Sequence, residues 1–211
     1  MPETSSTEES GVTIRAGGCA GCTLCCKVMS VPAIDKAAGV WCPHCKTGAG
    51  CGIYDTRPGA CADFMCGFLT TPSLGEEWRP ATSRLIIDTQ KEQGTTLVYV
   101  DPARPDAWRR QPYYAALQGW ARWALAHKQR VVVRTGTRTI MVMPDHAIDF
   151  GTVYRDEVLV VFPAPHADGS GADYRAYAAK AEMWAKLGLE FQQGKQIPTA
   201  ADGFRAGRRL D

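Results

Sequence analysis

The cysteines of this chain are concentrated in one short segment. All nine lie between Cys19 and Cys66, within 48 residues, and the 145 residues that follow contain none. A segment of this length with few large apolar residues buries too little surface to offset its chain entropy, so it needs cross-links or metal to fold. Structural metal binding contributes roughly 10–16 kcal/mol to the folding of such segments. The segment therefore predicts a disulfide framework or a metal-binding module.

The expected compartment and the odd number of cysteines favour metal binding over disulfide bonds. The first ten residues are polar and acidic and lack the apolar core of a secretory signal. No apolar run approaches the ~20 residues that cross a bilayer. We therefore expect a soluble cytoplasmic protein without membrane association, in which thiols stay reduced. An odd number of cysteines also argues against a fully paired disulfide framework.

The spacing of the cysteines fits two kinds of metal site. Two C-x2-C pairs, Cys22/Cys25 and Cys42/Cys45, have the separation typical of a four-cysteine zinc site. Alternatively, the run that begins at Cys19 supplies three ligands, with Cys22 and Cys25, to an iron–sulfur cluster that has a distant fourth ligand. All-thiolate ligation suits zinc and iron–sulfur clusters alike, and we slightly favour iron.

Adjacent cysteines constrain how the thiols can be grouped. The side chains of Cys25 and Cys26 diverge, which favours two sites, or one site and a few spare thiols. His44 lies between two cysteines, and we expect its ring to point away from their metal. Arg57 either donates hydrogen bonds beside the thiolates or fixes the Arg-Pro-Gly turn. The candidate metal ligands are Cys19, Cys22, Cys25, Cys26, Cys42, Cys45, Cys51, Cys61 and Cys66.

A longer motif runs through the same segment. It reads C-x2-C-x2-C-C, then one cysteine, then C-x-I-Y-x2-R-P-x2-C-x2-F-x-C, and it resembles the YkgJ-type cysteine-cluster family, a zinc- or iron-chelating domain. A related cluster accompanies flagellin lysine N-methylase, so the resemblance implies metal binding with a redox or methyl-transfer role. Cys45 stands where the family commonly has leucine, which suggests a ninth, exchangeable thiol. The matching cysteines are Cys19, Cys22, Cys25, Cys26, Cys42, Cys51, Cys61 and Cys66.

The residues after Cys66 have ordinary α+β patterning. We predict an α+β fold, in which an irregular cysteine-rich segment docks on a mainly antiparallel sheet with about two amphipathic helices. The predicted strands are 84–88, 95–101, 130–134, 137–143 and 153–162, and the predicted helices are 112–127 and 173–193. The predicted divisions are a flexible tail (1–11), the cysteine-cluster segment (12–70), the α+β body (71–195) and a C-terminal tail (196–211).

A basic stretch over residues 101–140 carries eight basic and two acidic residues with interleaved aromatic rings. Such a pattern is used by nucleic-acid binders, but a net charge of only +2 favours a solvated helix face over an aromatic core. No catalytic motif is present, so no catalytic residue is assigned and enzymatic activity stays open.

The function predicted from the sequence is a cytoplasmic metal-binding protein that carries an iron–sulfur cluster or zinc, with a redox or enzyme-accessory role and a redox or protein partner. The alternatives are a structural zinc module that binds protein or nucleic acid, and a metal-trafficking protein.

Overall fold

The computed structural model describes residue 15 and residues 21–165, 172–192 and 199–211. Cys19, the predicted 1–11 tail and residues 196–198 of the predicted C-terminal tail lie outside the described residues.

Eleven strands and six α-helices are formed in the described part of the chain. The strands are β1 (Cys45–Lys46), β2 (Gly50–Cys51), β3 (Leu85–Gln90), β4 (Thr95–Val100), β5 (Arg130–Thr135), β6 (Arg138–Val142), β7 (Ala147–Thr152), β8 (Glu157–Pro165), β9 (Ala172–Lys180), β10 (Phe204–Ala206) and β11 (Arg208–Leu210). The helices are α1 (Cys25–Val28), α2 (Gly59–Ala62), α3 (Gly67–Thr70), α4 (Pro80–Ser83), α5 (Tyr113–Ala126) and α6 (Ala181–Gln192). Each of these helices is too short or too polar to cross a membrane.

A six-stranded sheet forms the centre of the molecule, with the order β11-β7-β6-β5-β4-β3. Its neighbours pair antiparallel except β4 and β5, which are parallel because α5 carries the chain back across the sheet. A second, three-stranded sheet has the order β10-β9-β8. The predicted α+β class with a mainly antiparallel sheet is therefore confirmed.

Alternation along the strands divides the buried side chains between the two faces of the large sheet. One face, which includes Val98 and Val133, packs against Leu117 and Ala121 of α5 and against Trp108. These side chains are almost fully buried, so α5 and the sheet form the main hydrophobic core.

Two different elements share the opposite face of the large sheet. Leu24 and Val28 of the cysteine segment pack on Ile86 at one end, and β8 and β9 pack on residues such as Met141 at the other. Tyr99 contacts both clusters. The cysteine segment is thus held against the sheet beside the second, smaller sheet.

The prediction of the second helix, over 173–193, is wrong in its first half. Residues 172–180 form β9, which pairs along its whole length with β8, and α6 begins only at Ala181. Ala178 and Ala179 are fully buried, so tertiary pairing decides the conformation of a segment that also has helical spacing.

Four further elements differ from the prediction. β7 was not predicted, and the strand predicted over 153–162 begins only at Glu157. Within the predicted C-terminal tail, β10 pairs with β9 and β11 pairs with β7. These strands are three residues long, and their pairing depends on distant partners that local patterning does not reveal.

Candidate metal centre

The cysteine segment packs against the large sheet close to Cys25 and Cys26. α1 begins at Cys25 and buries Val28, which packs with Leu24 on Ile86. Lys27 Nζ lies 2.6 Å from Asp101 Oδ1. The side chains on either side of Cys25 and Cys26 therefore fix their position relative to β3 and to the end of β4.

A small hairpin brings three more cysteines beside α1. The Cys42 N–H donates to the carbonyl oxygen of Cys26 at 2.9 Å, and the Cys45 N–H donates to that of Cys42 at 3.0 Å. β1 and β2 then place Cys45 directly opposite Cys51. Cys42, Cys45 and Cys51 are thus brought into one small volume beside Cys26 of α1.

Five cysteines in this volume form what we call the Lys36 group: Cys26, Cys42, Cys45, Cys51 and Cys61. The Cys26 thiol is hydrogen-bonded to those of Cys25 and Cys45. The hydrogen bond with Cys25, together with burial, raises the pKa of the Cys26 thiol above its ordinary value. Burial and the neighbouring Cys26 raise the pKa of Cys45 to about 11. Burial and the same neighbour also raise the pKa of Cys61.

The group is named after Lys36, a buried lysine on which three of its cysteines act electrostatically. Lys36 Nζ donates to the carbonyl oxygens of Lys27 at 2.9 Å, Ala37 at 3.1 Å, and Met29. Burial lowers the pKa of Lys36, whereas the nearby thiols act in the opposite direction because their thiolates favour a protonated amine. The thiols that act on it are those of Cys42, Cys26, Cys25 and Cys61.

The remaining described cysteines form a second set, which we call the Phe64 group: Cys22, Cys25 and Cys66. They line an apolar cleft of about 50 Å³ together with Phe64 and Ile86. The two groups meet at the hydrogen bond between the adjacent thiols of Cys25 and Cys26. The two C-x2-C pairs approach each other here, since Cys26 contacts both Cys25 and Cys45, and Thr23 contacts Cys45.

The chemistry of this donor set fits a soft or borderline metal. All eight described cysteines are half-buried and free of disulfides, and several thiols are in direct contact. Within the described residues, however, no three His, Cys, Asp or Glu side chains are close enough together to hold one metal ion. Cys19, the first cysteine of the motif, lies outside those residues.

Two side chains near the cysteines have other contacts. His44 is exposed, and its carbonyl oxygen accepts a hydrogen bond from Gly52 N–H at 2.8 Å. Arg57 stacks on the Tyr54 ring at 3.7 Å and donates to the Tyr54 carbonyl oxygen at 2.7 Å. These contacts support the interpretation that Arg57 fixes the local turn, although its charge also acts on Cys61.

The sequence analysis missed Lys36. A single lysine between a Pro-Ala-Ile-Asp turn and two alanines is expected to be solvent-exposed. Its burial depends on three carbonyl groups and on distant thiols, which no local pattern indicates.

The aromatic residues of the basic stretch belong mainly to the core. Trp108 and Tyr113 are buried, and Trp78 stacks on Trp120 with ring centroids 4.9 Å apart. Trp123 is exposed and stacks on His127. This placement supports a solvated helix face over an aromatic core.

Comparison of the chain with protein-family models, curated proteins and solved structures finds no match. The resemblance to the YkgJ-type family therefore stays a prediction.

Proposed function

We propose that this chain is a metal-binding protein whose cysteine segment holds zinc or an iron–sulfur cluster. The observation that carries the proposal is a set of eight half-buried, disulfide-free thiols, four of which act electrostatically on the buried Lys36. A buried ammonium is costly unless negative charge lies close to it. The donors of Lys36 are used on neutral carbonyl groups, so thiolates that ionise when metal binds would be the nearby groups that balance its charge.

The raised pKa values of the thiols point to the same function. The hydrogen bond with Cys25 and burial raise the pKa of Cys26, and burial with the neighbouring thiols raises the pKa of Cys45 and Cys61, so ionising these thiols without metal is costly. Bound metal would supply the positive charge that allows the thiols to ionise. Lys36 would remain beside the loaded site and reduce its net negative charge.

The division into two groups supports an iron–sulfur cluster slightly more than a single zinc site. Cys66 lies with Cys22 and Cys25, where it can serve as the distant fourth ligand of the run that begins at Cys19. In this assignment the Lys36 group is a separate site for zinc or a second metal. The four-cysteine zinc site built from both C-x2-C pairs is the alternative, since Cys25 and Cys45 both contact Cys26.

The surface around the thiols supports a role in redox chemistry or assistance to an enzyme, through contact with a protein partner. Exposed large apolar side chains are common at contact sites for other proteins. The cysteine segment exposes Val40, Trp41, Tyr54 and Met65. We assign the protein to a reducing compartment, the cytoplasm, because its thiols must stay reduced.

A metal-trafficking protein is the second candidate. The observation that favours it is the accessibility of the site, since all the described cysteines are half-buried and none is sealed in the core. Cys45 would be the exchangeable ligand. Transfer of metal to a chelator within minutes, without unfolding, would distinguish trafficking from a stable redox or structural site.

Variants in each cysteine group test the proposal. We expect protein purified without oxygen to absorb in the visible range, and Cys66→Ser to abolish that absorbance. Cys61→Ser should instead remove the metal of the Lys36 group and leave the absorbance unchanged. Met65→Ser is the control, because it alters an exposed sulfur side chain next to Cys66 that is not a thiol. Wild-type protein that is folded but retains neither iron nor zinc would refute the proposal.

A further inference from the structure

A cavity of about 120 Å³ lies between the cysteine segment and the large sheet. Its walls include Val28, Met29 and Ser30 from the segment, and Tyr99, Val100 and Arg134 from β4 and β5. A cavity of this size holds several water molecules and is therefore large enough for a small organic molecule.

Three polar side chains that line this cavity are unpaired within the described residues. The Arg134 guanidinium has no hydrogen-bond acceptor there and no carboxylate within 4.0 Å, and the hydroxyl groups of Tyr99 and of the exposed Ser30 have no protein hydrogen-bond partner there either. Arg130, on the same strand, differs: it donates to Thr95 Oγ1 at 2.9 Å and to the Leu159 carbonyl oxygen at 2.8 Å.

The acidic groups near the cavity do not neutralise Arg134. Asp101 is paired with Lys27 at 2.6 Å and with Arg84 at 4.0 Å. Asp88 accepts a hydrogen bond from the neutral Gln90 amide at 3.0 Å and keeps its negative charge, which acts on Tyr99 together with the positive charge of Arg134. An anionic ligand in the cavity would therefore meet a guanidinium that has no carboxylate within ion-pair distance among the described residues.

Strand register places the polar groups in one row. Tyr99 is paired with Arg134 across β4 and β5, and Arg134 is paired with Thr139 across β5 and β6. Directly opposed residues lie on the same face of a sheet. Thr139 is only 1% exposed, and its hydroxyl has no hydrogen-bond partner among the described residues. The row therefore carries several unused hydrogen-bonding groups beside the cavity.

We propose that this cavity binds a small organic acid through its carboxylate group. Arg134 would hold the carboxylate, with further hydrogen bonds from the hydroxyl groups of Tyr99 and Ser30. Val28 and Val100 would contact the hydrocarbon part. An inorganic oxyanion would leave these apolar walls without a matching group, so the mixed lining favours a carboxylic acid.

The inference is independent of the proposed metal function, because none of the groups that bind the acid is a cysteine. It adds a link between the two parts of the molecule, since the ligand would touch both the segment that follows α1 and the sheet.

NMR titration of the isotope-labelled full-length chain with butyrate tests the inference. We expect saturable shifts of amides around Ser30, Tyr99 and Arg134 in the millimolar range, which is typical of so small a ligand. Butyramide, the neutral isostere, should cause no saturable shift at the same concentration. Equal binding of butyramide, or binding of sulfate but not butyrate, would overturn the assignment.

Two variants locate the binding site. Arg134→Gln should weaken butyrate binding by about tenfold or more, because it removes a charged hydrogen-bond donor. Arg155→Gln makes the same change of charge at an exposed position and should leave binding unchanged. Tyr99→Phe removes only a hydroxyl group and should weaken binding several-fold, which provides a test even where Arg134→Gln fails to fold. Wild-type affinity in both folded Arg134→Gln and Tyr99→Phe would overturn the proposal.

Discussion

Lys27 Nζ and Asp101 Oδ1 form an ion pair at 2.6 Å that joins the cysteine segment to the sheet. Both side chains are largely buried. Asp101 also accepts the Ala103 N–H at 3.0 Å, so the carboxylate is held in place by its own turn. Since Lys27 directly follows Cys26, this contact fixes where the thiols stand relative to β4.

Breaking this ion pair should destabilise the fold. We expect Asp101→Asn to lower the free energy of unfolding by about 3 kcal/mol, because it leaves the Lys27 ammonium buried without a counter-charge. Urea denaturation measures the change. Asp156→Asn is the control, because its ion pair with Lys180 is exposed and should contribute much less to stability. Equal losses in the two variants would show that the buried pair has no special role.

Acid should weaken the ion pair between β6 and β7. The Arg138 guanidinium, 2.8 Å away, holds the pKa of Asp149 below its ordinary value, although burial acts in the opposite direction. A lowered pKa in the folded state stabilises the protein fully above about pH 4, and this contribution is lost as the pH falls through the lowered value. Unfolding free energies measured from about pH 5 to about pH 2 should therefore fall less steeply for Asp149→Asn than for the wild type.

A second carboxylate variant controls for the loss of one acidic group. Asp55 is exposed and has no ion pair among the described residues. Asp55→Asn should retain the acid dependence of the wild type. An Asp149→Asn profile with the wild-type slope would contradict the assigned role of Asp149.

Removing the charge of Lys36 should weaken metal binding. We expect Lys36→Met to reduce metal affinity by roughly 10- to 100-fold, which is the usual effect of losing a group that interacts with the metal ligands but not with the metal itself. Competition with a chromogenic chelator measures the affinity. Lys46→Met, at an exposed position in the β1–β2 hairpin, should have no comparable effect, and Lys36→Arg should restore part of the loss. Equal affinities in Lys36→Met and Lys46→Met would contradict the role of the buried charge.

Two glycines of the cysteine segment offer a matched comparison. Gly21 and Gly48 have φ angles of +77° and +78°, so alanine is strained at both. A Cβ at Gly21 would lie 2.6 Å from the Gly48 carbonyl oxygen, whereas one at Gly48 would have no other atom within 4 Å. Gly21→Ala should therefore cost roughly 1–3 kcal/mol more than Gly48→Ala in thermal or urea unfolding. Equal losses of stability in the two variants would mean that the close approach of Gly21 to the Gly48 carbonyl oxygen does not restrict residue 21 to glycine.

The sequence predicted the sheet better than it predicted the site. Strands such as β4 and β5 were found because β-branched residues and turn formers mark them locally, and α5 was found from its apolar stripe. β9 was mistaken for helix because alanine and tyrosine at helical spacing also suit a strand that pairs with β8.

The cysteine pattern predicted a metal centre but not the grouping of its thiols. That grouping depends on how the chain folds back: Cys66 joins Cys22 and Cys25 only because α3 packs on β3, where Gly67 lies against Ile87. The buried position of Lys36 likewise depends on contacts distant in sequence.

The metal content of the native chain tests the central claim most directly. Protein purified without oxygen and desalted is assayed for zinc, iron and acid-labile sulfide per chain. We predict at least about one equivalent of bound metal, with iron and sulfide in similar amounts where the Phe64 group holds a cluster. A folded, monodisperse chain with only traces of both metals would contradict the claim.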